Sequence, residues 1–373
     1  MNTRLFRQAS FLIILIIVSG LFIRIHHLGE ESLWLDEGHS IRMAKLPVSQ
    51  MVEEIAANKH PPVYFLALHG WISIFGDSEF SVRALSAIFG VLAIALLYQV
   101  ASLLFDRTTS LLAALLLALS SFNLFYSQET RMYSLLTFLS LGSMYYFIKW
   151  LSGGKKWASV GYLVFSTLLI YTQNFGFFII LAQNIYLAGL LLHPRSRSGT
   201  PLKSWIILQS LLILFYLPWM GILIKQILTM DSGSWSVPRP SWKGLLYSFK
   251  CFSGSFWLLG ISLPLAFYGV FPHPAGGDRG REDVVSARVI TDRDSERICF
   301  LSIWLLSLVL IPFLISQFGS SIYVHRATVL ATLPWYILVA RGINRIRFRY
   351  LRLVIVIVII GFSLFSIKEY FIK

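Results

Sequence analysis

The stretch PPVYFLALHGWISIF, residues 61–75, decides how this chain is threaded. It is apolar, but it is short for a bilayer crossing, which needs ~20 mostly apolar residues as a helix. If it does not cross, every basic cluster of the chain falls on the cytoplasmic side, where Lys and Arg of short loops gather. If it crosses, the downstream clusters move outside. We therefore predict that residues 40–75 form juxtamembrane helices on the outer surface, and the apolar face within residues 51–56 suits a membrane interface.

Composition places the chain among polytopic membrane proteins. Of its 373 residues, 56% are hydrophobic and 13% are charged, and the mean hydropathy is +0.69. The net charge of +14 could suggest nucleic acid, but the basic residues form short clusters between apolar runs. Such clusters orient membrane helices, so we expect membrane lipids and no nucleic acid as partners. Cys251 and Cys299 lie at the ends of different apolar segments, which predicts neither a disulfide framework nor a thiolate metal site.

Apolar runs predict an all-α membrane protein with about eleven transmembrane helices and a cytoplasmic N-terminus. The first run, Phe11 to Ile25, has no small-residue cleavage site after it, so we predict an uncleaved span. The ten other runs are residues 83–105, 109–126, 131–151, 157–172, 175–193, 204–227, 253–272, 298–317, 326–343 and 353–371. We expect residues 1–373 to form a single polytopic domain, with 26–82 as first outer loop, 273–297 as polar cytoplasmic loop, and no soluble C-terminal domain.

The stretch LWLDEGHS, residues 33–40, puts two acids, Asp36 and Glu37, next to the first span. Adjacent residues point in different directions on a helix or a strand, so the two carboxylates suit separate roles. One could take a proton from an acceptor hydroxyl as general base, while the other binds the acceptor or a divalent metal cation. The alternative is that they cap a helix that begins near Gly38, although a cap needs only one acid.

Other polar stretches on the predicted outer face supply cations and aromatic residues. Arginine offers a planar fork of donors that suits a phosphate, and a neighbouring acid could orient it. The candidates for donor phosphate binding are Lys59, His60, Arg131 and Arg326. The candidates for substrate contact are Glu129, Tyr133, Tyr171, Tyr323 and His325. Ordinary interface roles are the alternative, since arginines snorkel towards lipid headgroups and Tyr belongs to the aromatic belt.

Acids and phosphate-binding cations on one side predict transfer of a group from a lipid phosphate. The phosphate that leaves needs its developing charge neutralised, and the acceptor hydroxyl needs a base. A transporter or flippase of a lipid-linked or other anionic substrate is the alternative. It would place ionisable residues near the bilayer midplane, whereas the centres of these spans are nearly free of charge.

Four segments in this order resemble the GT-C superfamily of integral membrane glycosyltransferases. They are Asp36-Glu37, HPPVYFLALHGWISIFGDSEFSVRALSAIFG (60–90), YSQETRMYSLL (126–136) and YTQNFGFFIILAQ (171–183). Within the superfamily, the chain is most similar to bacterial and archaeal members related to protein O-mannosyltransferases and the lipid A aminoarabinose transferase. The resemblance implies a GT-C fold and an inverting transfer of a sugar from dolichyl or undecaprenyl phosphate, at the outer face of the cell membrane, to a protein, lipid or glycan acceptor.

The same resemblance implies roles for single residues. Asp36 takes the place of the catalytic acid and is expected to be the general base, Glu37 takes that of its partner, and Arg131 that of an arginine that contacts the donor phosphate. The sequence departs from the family pattern at Gln173, where members often have histidine. It also departs at residues 325–327, where many members have Arg-Tyr before the Leu-Pro segment.

Overall fold

Sixteen α-helices and one 3-10 helix make up the part of the chain that this computed structural model describes. These described residues are 3–58, 60–154, 156–192, 202–229, 238–271 and 294–372, with side chains from residue 10 onward. They contain no strand, which confirms the all-α prediction. In chain order the helices are α1 (Thr3–Ile25), α2 (Leu35–Ala44), α3 (Val48–Ala57), α4 (Val63–Phe75), α5 (Glu79–Leu104), α6 (Arg107–Ala118), α7 (Ser121–Ser127), α8 (Tyr133–Leu151), α9 (Lys156–Ile170), α10 (Gly176–Leu192), α11 (Leu202–Leu228), α12 (Trp242–Ser253), α13 (Phe256–Val270), α14 (Asp294–Phe318), the 3-10 helix (His325–Ala331), α15 (Thr332–Asn344) and α16 (Arg349–Ile372).

A helix cap divides the apolar run at residues 109–126 into two helices. The Asp106 side chain caps α6 by accepting a hydrogen bond from Thr108 N at 3.0 Å. Ser120 caps a new helix, α7, because its Oγ accepts a hydrogen bond from Asn123 N at 3.1 Å. The axes of α6 and α7 meet at 59°. The predicted span is therefore a bent pair of helices, and the turn that follows α7 carries candidate site residues.

Within the described residues, four helices are long and apolar enough to cross a membrane alone: α5, α11, α14 and α16. If each of the bent pairs α6–α7 and α12–α13, the second bent by 91°, is one span, the number is six. Shorter apolar helices such as α9 and α10 have 15 and 17 residues. The chain is thus a multi-pass membrane protein, and the count of eleven spans stays a prediction.

The loop after α1 contains three short helices, α2, α3 and α4. Helix α4 has 13 residues, a length of about 20 Å at 1.5 Å per residue, against a hydrocarbon core of about 30 Å. The apolar face of α3 is covered by protein: Met51 and Ile55 are buried, and Val52 and Ala56 pack on a cluster that contains Trp219. Helices of the chain itself, rather than lipid, therefore cover the face that the sequence assigned to the membrane interface.

Arg24, in the last turn of α1, holds the end of α6. Its side chain is completely buried. Its Nη1 and Nη2 donate to the carbonyl oxygens of Ala118 and Leu117, each at 3.2 Å, and its Nε donates to Ser127 Oγ at 3.2 Å. The last carbonyls of a helix have no partner within it and carry partial negative charge, which a guanidinium offsets. Arg24 thereby fixes the place where the turn at residues 128–131 begins.

The orientation of the first loop can be measured at Asp77, between α4 and α5. Its side chain is 52% exposed and pairs with Lys45. In a chain whose two cysteines are replaced by serine, we expect Asp77→Cys to react with a membrane-impermeant maleimide in intact cells. Thr108→Cys is the control: this residue is exposed in the first turn of α6, on the side predicted to be cytoplasmic, and should react only after the membrane is opened. Labelling of Asp77→Cys from the inside alone would contradict the predicted threading.

Candidate active site

The two acids at the start of α2 have different surroundings. The Asp36 side chain is 27% exposed, whereas that of Glu37 is 1% exposed. Successive residues of an α-helix are rotated by about 100°, so burying one acid of the pair turns the other away from the same neighbours. Only Asp36 is open to an incoming molecule.

Glu37 is fully bound by protein groups. Its Oε1 accepts hydrogen bonds from Arg83 Nε and Thr130 N, each at 2.9 Å, and its Oε2 accepts one from Arg83 Nη2 at 2.7 Å. Arg83 also donates to three backbone carbonyl oxygens, those of Leu28, Glu31 and Ser32. This bidentate pair ties α2 to α5 and to the turn before α8. With both oxygens occupied, Glu37 suits a positioning role better than the acceptor or metal contact expected from the sequence.

Asp36 meets two arginines from distant parts of the chain. Its Oδ2 accepts a hydrogen bond from Arg326 Nη1 at 3.0 Å and lies 3.8 Å from Arg131 Nη2. Arg131 Nη1 also donates to the Asp36 backbone oxygen at 3.3 Å and to Ser40 Oγ at 3.2 Å. Arg131 is buried and Arg326 is 40% exposed. The structure thus brings the candidate base together with two candidate phosphate-binding residues, and the group opens towards Arg326.

The 3-10 helix that carries Arg326 is held by α12 and α14. Ser248 Oγ of α12 hydrogen-bonds Tyr323 OH at 2.7 Å and His325 Nδ1 at 2.9 Å. Ser316 Oγ of α14 accepts a hydrogen bond from Tyr323 N at 3.0 Å. Tyr323 and His325 were expected to contact substrate. Their contacts with α12 and α14 favour a different role, which is to hold the segment that presents Arg326.

Glu129 lies in the turn between α7 and α8 and lines a pocket of about 280 Å³. Its side chain is 6% exposed, and its Oε1 is buried without a hydrogen-bond partner. Burial, together with the charges of Glu37 and Asp36, raises the pKa of Glu129 to about 8, although Arg131 offsets part of the rise. The carboxyl group is therefore largely protonated at neutral pH and can donate a hydrogen bond to a bound molecule.

His60 precedes α4, and Lys59 lies outside the described residues. Burial lowers the pKa of His60 to about 3, and the positive charges of Arg131, His39 and Arg326 add to this effect. His60 is thus a neutral imidazole at physiological pH. It can exchange hydrogen bonds with a phosphate but adds no positive charge, in contrast to the cation expected from the sequence. The role of Lys59 stays a prediction.

Tyr133 and Tyr171, the other two tyrosines expected to contact substrate, lie in different parts of the structure. Tyr133, at the start of α8, is buried and packs on Tyr126 with ring centroids 4.7 Å apart. Tyr171 follows α9 and turns towards α11, where its hydroxyl donates to the Phe215 oxygen at 3.0 Å and its ring lies 5.0 Å from that of Tyr216. Tyr133 therefore lies beside the turn that carries Arg131, whereas Tyr171 belongs to the contact with α11.

Two residues of the site were not singled out in the sequence. Arg83 lies near the start of an apolar span, where a charge is costly unless it is paired. A lone arginine in such a run is the sequence signal that could have identified it. Ser40 follows Asp36 by four residues, one helical turn, and so lies on the same face of α2. Neither signal identifies the partner, since Arg83 binds a residue 46 positions away.

The acids of the site do not form a metal centre. Among the described residues, no three His, Cys, Asp or Glu side chains lie close enough together to hold a metal ion. Glu37, the candidate ligand, faces the guanidinium of Arg83, and a cation at Asp36 would face Arg131 and Arg326. These donor sets do not fit a divalent cation, so we assign Glu37 no metal.

The raised pKa of Glu129 predicts how stability varies with pH. Its folded-state pKa of about 8 exceeds the ordinary value of 4.5, so the folded chain binds this proton more tightly and stability falls as pH rises towards 8. Histidines with lowered pKa, such as His60, act in the opposite sense, and their effect fades as pH rises above 6.5, so the change towards pH 8 reports mainly on Glu129. Glu129→Gln should flatten the change of Tm there and raise Tm at pH 8 by a few degrees.

The control for this measurement is Glu53→Gln, on the exposed face of α3. It should keep the wild-type slope of Tm against pH. If Glu129→Gln also keeps the wild-type slope between pH 6.5 and 8, the carboxyl group is ionised in the folded chain and its assignment as a hydrogen-bond donor is wrong.

A protein-family model matches the middle of the chain. The model described as dolichyl-phosphate-mannose-protein mannosyltransferase matches residues 59–221. The matched part contains Arg131, Glu129 and Arg83, but it excludes Asp36 and Arg326. No curated protein sequence matches the chain.

Solved structures share the fold over most of the chain. ArnT from Cupriavidus metallidurans in the apo state superimposes with a TM-score of 0.62 at 15% identity, covering 91% of this chain and 60% of that chain. The same protein bound to undecaprenyl phosphate gives 0.59 at 14% identity, with 89% and 60% covered. The archaeal oligosaccharyltransferase AglB from Archaeoglobus fulgidus, in complex with an inhibitory peptide and a dolichol-phosphate, gives 0.57 at 14% identity, with 96% and 55% covered. The chain thus spans 55% to 60% of the length of these proteins.

Proposed function

We propose that the chain is a member of the GT-C superfamily of membrane glycosyltransferases, as the family model and the shared fold support, and that it transfers a sugar from a polyprenyl-phosphate donor to an acceptor hydroxyl. In this proposal Asp36 is the general base, and Arg131 and Arg326 bind the donor phosphate. The convergence of one carboxylate and two guanidiniums, from positions 36, 131 and 326, carries the proposal.

Asp36 would take the proton of the acceptor hydroxyl. The acceptor oxygen forms a bond to the anomeric carbon of the sugar, and the bond between that carbon and the phosphate oxygen breaks. The electron pair of the broken bond leaves with the polyprenyl phosphate, and attack from the opposite face inverts the anomeric centre. A general base must reach the hydroxyl within hydrogen-bond distance, and the partly exposed Asp36 meets this condition where the buried Glu37 does not.

The two arginines would stabilise the phosphate as it leaves. Its negative charge grows while the glycosidic bond breaks, and fixed donors aimed at that charge lower the barrier. Arg326 is partly exposed and can exchange its contact with Asp36 for a phosphate oxygen. Arg131 Nε is buried without a partner and offers one more donor in the same place. Both guanidiniums therefore have hydrogen-bonding capacity for an oxyanion.

Two of the similar structures support the donor class. Undecaprenyl phosphate is bound in ArnT and a dolichol-phosphate in AglB. The description of the matching family model supports a hexose such as mannose. The threading predicted from basic clusters supports an active site at the outer face of the cell membrane, because it places residues 26–82 there.

The proposal can be tested with purified protein and a radiolabelled polyprenyl-phosphate hexose. Release of free polyprenyl phosphate, dependent on an acceptor extract from the same cells, is expected. Mass spectrometry of glycans and lipids from cells that lack the chain should in turn reveal one missing modification, which identifies sugar and acceptor together. Unchanged glycan and lipid profiles in those cells would argue against a transferase.

A further inference from the structure

A groove lies between α7, the bend of α12 and α13, and α16. Its volume is about 960 Å³. Aromatic side chains make up much of its lining: Phe122, Phe125, Trp257, Phe362 and Phe365. Along α16 it extends from Val358 to Tyr370, a distance of about 18 Å at the rise of an α-helix. This α16 groove has the dimensions and the apolar lining that suit a hydrocarbon chain.

The α16 groove adjoins the pocket that contains Glu129. Phe125 and Tyr370 line both spaces. Helix α7 forms a wall of the groove, and the turn that follows α7 carries Glu129 and, two residues later, Arg131. A chain held in the groove would bring its polar end next to the candidate catalytic residues.

Ionisable side chains around the two spaces favour an uncharged head group. Glu37 and Arg83 form a buried ion pair and neutralise each other. The others are three acids, Glu31, Glu129 and Glu369, with Lys250 and His27. The Lys250 amino group lies 5.2 Å from the ring centroid of Tyr247 and 5.8 Å from that of Phe256, as in cation–π contacts. The carboxylates of Glu31 and Glu369 would repel a phosphate. The protonated Glu129 adds no charge and can exchange hydrogen bonds with a hydroxyl group.

We propose that the α16 groove binds the hydrocarbon chain of a lipid acceptor whose uncharged, hydroxyl-bearing head group reaches Glu129. Glu129 lines the pocket, and its buried Oε1 has no hydrogen-bond partner in the protein, so it is the polar group available to that head group. Arg131 and Arg326, which suit the donor phosphate, do not line the pocket, and neither does Asp36. The head group would therefore extend past Glu129 to bring its hydroxyl to Asp36, whose charge acts on Glu129. This inference rests on the proposed function and names the class of its acceptor.

Gly361 offers a way to fill the groove without disturbing the fold. It lines the groove, and a Cβ added there meets no atom within 4 Å. Gly361→Leu would place a side chain in the groove and would favour helix formation, since glycine is a poor helix former. Gly189→Leu on α10 is the matched control, because a Cβ at Gly189 also meets no atom within 4 Å.

The test uses the full chain in phosphatidylcholine vesicles that contain a diacylglycerol with a diazirine on one acyl chain. After irradiation, mass spectrometry should find the label on residues 358–370 of α16 and on α7. Gly361→Leu should lower this labelling at least fivefold, and Gly189→Leu should leave it unchanged. An excess of undecaprenyl phosphate should not displace the label.

Two results would overturn the proposal. Labelling that is the same in Gly361→Leu and wild type would mean that the groove holds no chain. Displacement of the label by undecaprenyl phosphate would mean that the groove holds the donor chain instead. If the transferase proposal alone is wrong, the groove is still labelled but no polyprenyl phosphate is released. The two failures can therefore be distinguished.

Discussion

Replacing Asp36 with asparagine should lower the rate of polyprenyl phosphate release by about 10²- to 10⁴-fold, the usual contribution of a general base. Asparagine has nearly the same shape, and its side-chain oxygen can still accept the hydrogen bond from Arg326. It cannot take a proton from the acceptor hydroxyl. Because the contact with Arg326 is retained, the loss should fall on the chemical step, and single-turnover rates should show it directly.

The matched control for this variant is Asp77→Asn, an acid of the same loop that is exposed and pairs with Lys45. It should retain the wild-type rate. Unchanged release by Asp36→Asn would mean that another group is the base. Equal Tm values of Asp36→Asn and wild type would show that the fold is preserved.

Replacing Arg83 with methionine should lower the free energy of unfolding by about 3–5 kcal/mol, the cost of leaving a buried charge without its partner. The change leaves the Glu37 carboxylate, which is 1% exposed, with only backbone donors. It also frees the three carbonyl oxygens that Arg83 binds between residues 28 and 32. Unfolding in detergent, followed by tryptophan fluorescence, measures the loss.

An exposed ion pair of α2 and α3 serves as the control. Arg42 and Glu54 pair at 3.1 Å, but their side chains are 60% and 42% exposed, so Arg42→Met should cost under about 1 kcal/mol. The double variant Glu37→Gln, Arg83→Met removes the unpaired charge and should regain part of the loss. If Arg83→Met unfolds like wild type, the pair does not hold α2 in place.

The fold class could be predicted from sequence because its signals are local. Apolar runs mark the membrane helices, and serine or aspartate before a run marks where a helix starts, as at Asp106 and Ser120. The bend between α6 and α7 lies within one apolar run, so hydropathy alone joined the two helices. The covered face of α3 depends on α11, which is more than 140 residues later, and no local pattern contains that contact.

The candidate site could be predicted in composition but not in arrangement. Helix geometry predicts that Asp36 and Glu37 point in different directions. Which of the two acids faces the opening depends on Arg83, which binds Glu37 in the interior. Arg326 hydrogen-bonds Asp36 although the two residues are 290 positions apart in the sequence. Tyr323 and His325 stand next to Arg326 in sequence, but the hydroxyl of Ser248 turns them towards α12.

Arg24 gives the first helix a structural role beyond anchoring the chain in the membrane. By composition, α1 could be exchanged for any apolar anchor, since it resembles a generic membrane-targeting segment. An anchor from another protein would lack the guanidinium that binds the carbonyl oxygens of Leu117 and Ala118 and the hydroxyl of Ser127. Chimeras that swap this helix would still insert into the membrane, but they would lose the support beneath the turn of Glu129 and Arg131. The first helix is therefore a structural component of the site and not an interchangeable module.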